Sequence, residues 1–404
     1  MKKNIYKCRF CDGDLNSTDL ALNLSKMPLT DNFLNYNSSF KDEFLEDINI
    51  YVCSICNLTQ NPKDFDYSNY YINYNYSSGH SDLTLNFMNQ ISKYITDKYS
   101  TIFNKVPNSV IEIGSGDGVQ LNEFKKLGYK KILGIEPSSY LAKMSNLKGI
   151  PVIEKIFDSS IEDTLDYSKF DICLSSYTFD HMPNPKDYLD TCYNIMNEKS
   201  ILVIEIHDLD KIIQRNEWCL FEHEHTIYLN KDMSKNFLLN HGFEIIDVNP
   251  LKHNIVRANS LIIIARKLDL KRKSRFLHKN KIVDISSLQT SITQTIYKVD
   301  EFVKSKTNDG SIIGFGAGGR GVMTLASLNN SNMFEAIFDS NFKKQGFYTP
   351  KSHIPILAIS DLHKYFNSNC IVFSFGYFNE ISNFLLSQGF SSDKIISLES
   401  FYNC

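Results

Sequence analysis

The sequence predicts an α/β protein with three domains, two of which are built around parallel sheets covered by helices. The chain has 404 residues, whereas single hydrophobic cores stop growing at about 250–300 residues. Apolar segments of strand length alternate with amphipathic segments of helix length over most of the chain, a pattern typical of βαβ units. Residues 1–80 differ, because they contain two pairs of closely spaced cysteines and only short strand-like pieces.

The composition is that of a globular protein without a strong overall charge. Apolar residues make up 42% and charged residues 22%, with 28 Phe and 22 Tyr to fill the cores. The net charge of −3, from 43 basic and 46 acidic side chains, gives no overall attraction to nucleic acid or anionic lipid. No apolar run approaches the roughly 18–20 residues that span a bilayer, and the N-terminus has no apolar signal core. We therefore expect a cytoplasmic protein with neither a nucleic-acid partner nor a membrane partner.

Residues 1–80 form the first predicted domain, a loop-rich module with a structural zinc site. Cys8 and Cys11 form one CxxC pair, and Cys53 and Cys56 form a second, so each pair offers two thiolates to one tetrahedral Zn²⁺. A redox CxxC would lie at a helix start within a thioredoxin-like unit, which the sequence does not indicate. The remaining cysteines are scattered, which is typical of free thiols in a reducing compartment.

Residues 81–268 form the second predicted domain. Its first helix begins near Thr84, where apolar side chains recur at steps of three and four residues. The strands predicted after this helix are residues 109–113, 132–135, 170–175, 201–206, 243–248 and 261–265.

Residues 269–404 form the third predicted domain. The boundary falls in a basic run at 266–275, which is more typical of a solvated helix face than of a nucleic-acid patch. A helix-like stretch then continues to about Lys306, and strands are predicted at 311–314 and 336–338 with a glycine-rich turn between them. The third domain is therefore expected to be a second α/β unit.

A glycine-rich turn, E-I-G-S-G-D-G at residues 112–118, follows the first strand of the second domain. Glycines let the backbone approach a ligand where a Cβ would clash, and Glu136 at the end of the next strand can accept both hydroxyls of a ribose. E-x-G-x-G-x-G is the first motif of class I S-adenosylmethionine methyltransferases, and an incidental turn would leave Glu112 and Glu136 unexplained. The predicted cofactor is S-adenosylmethionine, bound by Glu112, Gly114, Gly116, Asp117, Gly118, Glu136 and Pro137.

A second glycine-rich turn, I-G-F-G-A-G-G-R-G at residues 313–321, lies in the third domain, and Asp339 ends the strand after it. Taken alone, the pattern would indicate an NAD site. Arg320 at the helix start also adds a cation that the diphosphate of a nucleotide sugar would attract.

The segment F-E-H-E-H-T-I-Y at residues 221–228 concentrates four ionisable side chains after the strand at 201–206. Active sites of open α/β sheets lie at the carboxyl ends of strands, so this segment is expected beside the methyl donor. Three interpretations remain open at this point: a metal site formed by His223 and His225, a general base formed by a His oriented by a Glu, and a solvated polar loop. His181 is a second candidate on the same edge.

Taken together, these motifs resemble those of S-adenosylmethionine-dependent C-methyltransferases of nucleotide-linked deoxysugars, a family typified by C-3 methylation of 4-keto-6-deoxy sugars. The resemblance covers essentially the whole chain. It rests on the four cysteines with N-L-T-Q at 57–60, Y-S-S at 76–78, the donor turn, His181 before P-x-P, H-E-H-x-x-Y at 223–228, Gly316-Ala317, Asp339, K-Q-G at 344–346, H-I-P-I at 353–356 and N-E-I at 379–381.

The resemblance implies a Rossmann-like class I methyltransferase domain flanked by a small N-terminal zinc-binding module and a second Rossmann-like C-terminal domain, which binds the nucleotide-linked sugar. It implies that His225, positioned by Glu224, removes the C3 proton next to a C4 ketone, while Tyr76 and His181 hydrogen-bond the carbonyl oxygen. The implied catalytic residues are His225, Glu224, His181, Tyr76 and Glu222, and the implied substrate-binding residues are His223, Tyr228, Gly316, Ala317, Arg320 and Lys344. We expect a monomer or a weak homo-oligomer.

Three departures from the family pattern fall on the substrate side. Glu222 stands where a Tyr is usual, Tyr177 stands where an Asn is common, and residues 257–262 replace the usual H-G-G-S-L-R. A sugar O-methyltransferase, an NAD-dependent enzyme and a catalytically silent sugar-binding protein therefore remain as alternatives.

Overall fold

The structure, a computed structural model, describes most of the chain. The described residues are 6–36, 40–64, 67–72, 74, 82–165, 168–252, 255–256, 259–269, 283–307 and 310–402. Tyr76, the Y-S-S segment at 76–78 and residues 257–258 of the third departure lie outside them. None of the helices in the described ranges is long and apolar enough to cross a membrane.

The strands, in chain order, are β1 (Tyr6–Lys7), β2 (Asp14–Leu15), β3 (Leu20–Pro28), β4 (Leu45–Val52), β5 (Thr59–Gln60), β6 (Ser109–Ile113), β7 (Lys131–Ile135), β8 (Val152–Ile153), β9 (Phe170–Ser176), β10 (Met196–His207), β11 (Ile227–Tyr228), β12 (Phe243–Val248), β13 (Ser260–Lys267), β14 (Ile312–Phe315), β15 (Phe334–Phe338), β16 (Ile356–Leu357), β17 (Asn369–Val372) and β18 (Ile395–Ser397). The α-helices are α1 (Tyr67–Ile72), α2 (Asp82–Phe103), α3 (Val119–Lys126), α4 (Ser139–Leu147), α5 (Ile161–Thr164), α6 (Pro185–Ile195), α7 (Leu209–Gln214), α8 (Lys231–Asn240), α9 (Ser286–Thr307), α10 (Gly319–Ser327) and α11 (Phe378–Ser387).

The chain divides into two compact units. The first unit comprises Met1–Asp19, Tyr51–Asp210 and Glu224–Val283, and the second unit comprises Leu20–Ile50, Lys211–His223 and Asp284–Cys404. The four cysteines predicted to bind zinc therefore belong to the first unit, whereas most of the chain between the two pairs belongs to the second. The H-E-H segment is also divided, between His223 and Glu224.

The first unit is built on a mostly parallel sheet with the order β12-β13-β10-β9-β6-β7-β8. β6, β7, β8, β9 and β10 are all parallel to one another, as the βαβ pattern predicts. β13 instead pairs antiparallel with both β10 and β12, so the prediction of βαβ units is wrong at this strand. The physical reason is length: a parallel connection needs about a dozen residues or more, usually with a helix, and the segment between Val248 and Ser260 is shorter.

The helix predicted near Thr84 is α2, and its apolar stripe packs on this sheet. Phe87, Met88, Ile91, Ile95 and Tyr99 recur at helical spacing and belong to one buried cluster with apolar side chains of β6, β9, β10 and β13. Because β6, β7, β9 and β10 are parallel, their carboxyl ends meet at one edge of the sheet. That edge carries the donor turn, Glu136 and the residues that follow β9 and β10.

The second unit contains a parallel sheet with the order β16-β15-β14-β17-β18. The strands predicted at 311–314 and 336–338 correspond to β14 and β15, and the helix-like stretch that ends near Lys306 is α9. Val299 and Val303 of α9 pack in one buried cluster with apolar residues of β14, β15 and β17. The second α/β unit expected from the sequence is therefore present.

Candidate functional site

The four predicted zinc ligands come together in the first unit. Cys8 Sγ lies 3.6 Å from Cys56 Sγ, and Cys11 Sγ lies 3.6 Å from Cys53 Sγ. All four sulfur atoms lie within 4.8 Å of one another. Sulfurs around a tetrahedral zinc with Zn–S bonds of about 2.3 Å are about 3.8 Å apart, so the cluster fits a ZnS₄ site.

Each CxxC pair closes a tight turn. Asp12 and Asn57, each one residue after the second cysteine of its pair, have φ of 60° and donate their N–H groups to the carbonyl oxygens of Cys8 and Cys53, respectively. Asn and Asp tolerate this left-handed conformation better than most residues. Burial raises the pKa of the Cys11 thiol to about 12, a cost that coordination of the thiolate to a metal would offset.

The turn between β6 and α3 is shaped to admit a ligand. Gly114, Gly116 and Gly118 have φ of 70°, 53° and 75°, a region that L side chains rarely adopt. A Cβ on Gly114 would lie 2.2 Å from Thr178 Oγ1, whereas one on Gly116 would meet nothing within 4 Å. Gly114 is therefore required by packing, while Gly116 leaves open space beside the turn.

Glu136 lies next to this open space, directly after β7. One carboxylate oxygen accepts a hydrogen bond from the N–H of Gly116 at 2.9 Å, and the other accepts one from the N–H of Ser138 at 2.8 Å, with Pro137 between. Burial raises the pKa of Glu136, and the two backbone donors oppose that rise. Each oxygen keeps a second lone pair, so the oriented carboxylate can accept a pair of ribose hydroxyls.

Glu112 is a buried acid with an unused acceptor. Its Oε2 accepts no hydrogen bond from the described residues. Burial, followed by the charges of Asp117 and Glu136, raises its pKa well above the usual range, whereas Asp117 forms an ion pair with Lys148 at 2.7 Å. A cationic ligand would relieve this excess of acid, and S-adenosylmethionine carries an ammonium and a sulfonium. The turn, Glu136 and Glu112 therefore fit the predicted cofactor.

His225 lies in a buried group of imidazole rings in the first unit. Its ring centroid is 4.6 Å from that of His181 and 4.9 Å from that of His207. The next residue, Thr226, fixes the backbone here, because its N–H donates to the carbonyl oxygen of Asp180 at 2.8 Å and its hydroxyl donates to that of Met182 at 2.6 Å.

Asp180 is the carboxylate that the three histidines share. Its Oδ2 accepts a hydrogen bond from His207 Nδ1 at 2.9 Å, and its Oδ1 lies 3.9 Å from His181 Nε2. Burial alone would raise the pKa of Asp180, but the His207 hydrogen bond and the three imidazoles lower it below the usual range. Asp180 is therefore an anion held inside a polar cluster.

Two tyrosines of α1 reach the same cluster. The hydroxyl of Tyr71 lies 3.0 Å from His181 Nδ1, and that of Tyr70 donates to Glu224 Oε1 at 3.3 Å. Burial and the neighbouring His225 lower the pKa of His181 to about 4, so His181 is neutral near pH 7. Tyr228, the last residue of H-E-H-x-x-Y, contacts the His225 ring at 6.1 Å between centroids.

Several residues of this cluster were not singled out from the sequence: Tyr70, Tyr71, Asp180 and His207. Asp180 and His207 could have been found from their positions. They come at the carboxyl ends of β9 and β10, where functional side chains of open α/β sheets gather. Tyr177, noted above only as a departure, has a strained φ of 48° and packs its ring 4.5 Å from that of His207.

Glu222 and His223 have partners in the second unit. Glu222 Oε2 accepts a hydrogen bond from the Thr30 hydroxyl at 2.8 Å, and His223 Nε2 lies 3.0 Å from the carbonyl oxygen of Met27. Residues 223–224 form a turn, so the extended backbone that would put His223 and His225 on one face is absent here. The metal interpretation of H-x-H therefore loses its geometric basis.

The second glycine-rich turn is held by its own neighbours in the second unit. Gly316 has φ of 102°, the N–H of Ala317 donates to Asp339 Oδ2 at 2.8 Å, and Lys344 Nζ donates to the carbonyl oxygen of Ala317 at 3.0 Å. Asp339 thus occupies the place after β15 that a ribose-binding acid takes in dinucleotide sites, but its carboxylate orders the turn.

Arg320, predicted to face a diphosphate, lies beside a buried acid. Its Nη2 is 3.3 Å from Glu217 Oε2, and Arg215 Nε is 2.8 Å from Glu217 Oε1. The Glu217 side chain is 0% exposed. Burial opposes the charge of Arg320, but Glu217 raises its pKa, and the neighbouring Cys219 thiol has a pKa raised by burial to about 12.

Comparison with known proteins gives two family matches in separate parts of the chain. Residues 87–248 match a methyltransferase domain, and residues 277–387 match a C-methyltransferase C-terminal domain. No curated protein matches the chain.

Solved structures with detectable likeness include two methyltransferases. One is the plantazolicin methyltransferase BpumL in complex with a monoazolic desmethylPZN analog and SAH, at 17% identity over 45% of this chain and 85% of that chain, with a TM-score of 0.37. Another is a SAM-dependent methyltransferase from Archaeoglobus fulgidus, at 19% identity over 44% and 94%, with a TM-score of 0.35. TM-scores this low carry no conclusion about the activity.

The family matches agree with the geometry of the first unit. The donor turn, the strand order and the methyltransferase match confirm the predicted Rossmann-like class I methyltransferase fold, and the C-terminal match and the second parallel sheet confirm a further domain after it. The two matches together support S-adenosylmethionine-dependent C-methyltransferase activity at a general level.

Proposed function

We propose that this chain, which is an S-adenosylmethionine-dependent methyltransferase, transfers the methyl group to C3 of a nucleotide-linked 4-keto-6-deoxy sugar. The observation that carries the proposal is the buried cluster of His225, His181, His207 and Asp180 at the carboxyl edge of the sheet that also bears the donor turn. An enzyme that methylates carbon must remove a proton from carbon, and this cluster supplies imidazole groups, which act as general bases in many enzymes.

His225 is the proposed general base. A C4 ketone acidifies the C3 proton, and S-adenosylmethionine supplies an electrophilic methyl group when bound. His225 removes the proton, and Glu224, which accepts a hydrogen bond from Tyr70, helps to orient the segment. The neutral form of His181 can donate a hydrogen bond to the carbonyl oxygen as negative charge develops there.

Further roles rest on the family resemblance. Tyr76 is proposed to hydrogen-bond the same carbonyl oxygen, and Glu222 is proposed as a further catalytic residue. His223 and Tyr228 are proposed to bind the substrate. The nucleotide part is proposed to bind Gly316, Ala317, Arg320 and Lys344. The matched C-methyltransferase C-terminal domain at 277–387 contains all four of these residues.

The four cysteines are proposed to hold a structural zinc ion. The spacing of their sulfur atoms supports a tetrahedral site, and such sites contribute folding free energy. Purified protein should therefore contain about one zinc per chain, measured by inductively coupled plasma mass spectrometry. Replacing Cys53 by Ser should lower the zinc content and destabilise the surrounding turns, and full zinc occupancy in that variant would contradict the assignment.

The activity is tested with a panel of nucleotide sugars. The protein is incubated with S-adenosylmethionine and each of several dTDP- and GDP-linked 4-keto-6-deoxy sugars, and the products are analysed by mass spectrometry. We expect the product to be heavier than the substrate by one methylene unit. The new methyl group should lie on C3 and should survive the acid treatment that cleaves O-methyl ethers. A methyl group mapped to a hydroxyl oxygen would identify a sugar O-methyltransferase, and NAD released from the purified protein would favour an oxidoreductase.

A further inference from the structure

The Asp180–His207 pair has a defined proton arrangement. Asp180 is ionised, so its carboxylate can only accept, and the hydrogen bond of 2.9 Å to His207 places a proton on Nδ1 of that ring. In the neutral imidazole, Nε2 then carries the lone pair. Asp180 thus keeps His207 in the tautomer that can accept a second proton.

His207 is more exposed than His225. His225 is buried, whereas His207 is partly exposed to solvent. The rings of His207 and His225 have centroids 4.9 Å apart, and one nitrogen of each ring lies within 4.8 Å of the other and of an Asp180 carboxylate oxygen. A water molecule can carry a proton between two rings at this spacing. Tyr177 packs against the His207 ring and limits its movement.

Methylation by a sulfonium donor releases one proton in every turnover. The donor begins as a cation and ends as a neutral thioether, while the acceptor exchanges hydrogen for methyl. If His225 takes that proton, it must lose it again before the next turnover. His225 is too buried to exchange freely with bulk water, so a second acceptor beside it is required.

We propose that His207, oriented by Asp180, takes the proton from His225 and passes it to solvent. This inference rests on the proposed function. The C3–H bond breaks and its proton passes to His225. The electron pair forms the bond to the methyl carbon while the S–CH₃ bond breaks and leaves its pair on sulfur, and the proton moves from His225 to Nε2 of His207 and then to water. Nothing is oxidised or reduced. Asp180 and His207 act through His225, and neither needs to touch the substrate.

The same three side chains could in principle hold a metal ion, because their ligand atoms are close enough. The direct hydrogen bond between Asp180 and His207 favours the proton pathway, since an ion between these two groups would replace it. A metal is therefore an outcome that the test must recognise.

The test compares the first turnover with later ones in a His207→Gln variant. Gln can donate to Asp180 but cannot carry a proton. We expect single-turnover methyl transfer, followed by rapid quench, to stay within a few-fold of the unsubstituted enzyme, and steady-state turnover to fall by about 10²-fold, the scale of a proton-transfer step. Entry of solvent deuterium at C3 of unreacted substrate should fall in parallel, and added imidazole should restore part of both rates.

A role confined to packing gives a different pattern. Equal loss in the first and later turnovers without imidazole rescue would overturn the inference, as would unchanged exchange and steady-state rates. Loss of activity with a chelator, together with loss of a bound ion in His207→Gln while the cysteine-bound zinc stays, would assign the three residues to a metal instead.

A measurement without substrate separates this inference from the proposed function. In ¹⁵N-histidine-labelled protein, His207 should show a protonated Nδ1 and an unprotonated Nε2 at neutral pH, and Asp180→Asn should disturb that assignment, while His241 keeps its own signals. An unprotonated Nδ1 on His207 would overturn the inference whatever the substrate. If the unsubstituted enzyme neither methylates any 4-keto sugar nor exchanges its C3 hydrogen, the proposed function is rejected. The tautomer measurement still tests the proton arrangement of Asp180 and His207 in that case.

Discussion

Both units contain a buried carboxylate that lies among several basic side chains, and the two clusters, around Asp180 and around Glu217, differ in the kind of base. In the first unit, Asp180 lies against three histidines. In the second, Glu217 lies against Arg215 and Arg320. Arginine stays protonated at any accessible pH, whereas histidine exchanges protons near neutrality. The comparison therefore agrees with the proposal that the histidine cluster transfers protons, whereas the arginine cluster is a permanent ion pair.

The largest expected effect concerns the base of the histidine cluster. His225→Asn should keep ligand binding but lose roughly 10²–10⁴ in kcat, the usual contribution of a positioned general base. Steady-state kinetics and calorimetric titration of both ligands check this. His241→Asn is the matched control, because that histidine also pairs with an aspartate, Asp190 at 2.8 Å, and should keep its activity. An equal loss in both variants would point to a general effect of histidine replacement.

In the arginine cluster, replacing the buried carboxylate should lower the free energy of unfolding. Glu217→Gln leaves two guanidinium groups facing a neutral amide in a buried place, and we expect a loss of about 3 kcal/mol in the free energy of unfolding, the scale for breaking a buried ion pair. Urea denaturation measures it. Glu301→Gln, which removes an exposed partner of Lys304 at 3.0 Å, should cost much less, because water and salt screen exposed ion pairs. Similar values for the two variants would mean that Glu217 is not a buried anchor.

The two clusters should also differ in their response to pH. The pKa of His181 is lowered from 6.5 to about 4 by burial and by His225, so the unfolded chain binds this proton before the folded chain does. Above pH 6.5, His181 therefore does not reduce the free energy of unfolding. As the pH falls from 6.5 towards 4, the unfolded chain takes up a proton that the folded chain does not, and the free energy of unfolding falls. His181→Gln should reduce the loss of stability between pH 7 and pH 4.5 by about 2–3 kcal/mol.

Chemical denaturation at the two pH values checks this expectation. Glu217→Gln is the internal comparison, because it removes a buried charge from the other cluster without changing a histidine. A pH dependence unchanged by His181→Gln would show that His181 titrates in the folded protein much as it does in the unfolded chain.

A smaller effect is expected at the donor turn. Glu136→Ala should weaken S-adenosylmethionine binding by roughly 1.5–3 kcal/mol, the scale for hydrogen bonds to a charged group, with nucleotide-sugar affinity retained. Isothermal titration calorimetry with each ligand separates the two effects. Glu154→Ala is the control, since Glu154 follows the adjacent strand β8 but is exposed. Unchanged donor affinity in Glu136→Ala would remove this residue from the cofactor site.

Local patterns predicted much of the fold. Largely apolar segments of strand length marked β6, β9 and β12, the recurrence of apolar residues marked α2, and the CxxC spacing marked the sulfur cluster. A strand was also predicted at 261–265, but the antiparallel direction of β13 was missed, because it depends on the length of the connection before the strand and not on the strand's own residues.

The site was predictable only where one motif contained it. The donor turn and Glu136 depend on residues close in sequence. The Asp180–His207 pair joins the ends of two strands, and the Arg320–Glu217 pair joins residues about a hundred positions apart in sequence, so neither has a local signature. The partner of Arg320, Glu217, could be found only in three dimensions, and the proposed contact of Arg320 with a diphosphate stays a prediction.

The central claim is that a histidine base removes a proton from carbon before methyl transfer. The most direct measurement incubates the unsubstituted enzyme with a nucleotide-linked 4-keto-6-deoxy sugar in D₂O, with and without S-adenosylmethionine, and follows C3 by NMR and mass spectrometry. We expect a methylated product in which the C3 hydrogen has been replaced by methyl, together with deuterium at C3 of unreacted sugar that disappears in His225→Asn. A methylated product that retains its C3 hydrogen would contradict the claim.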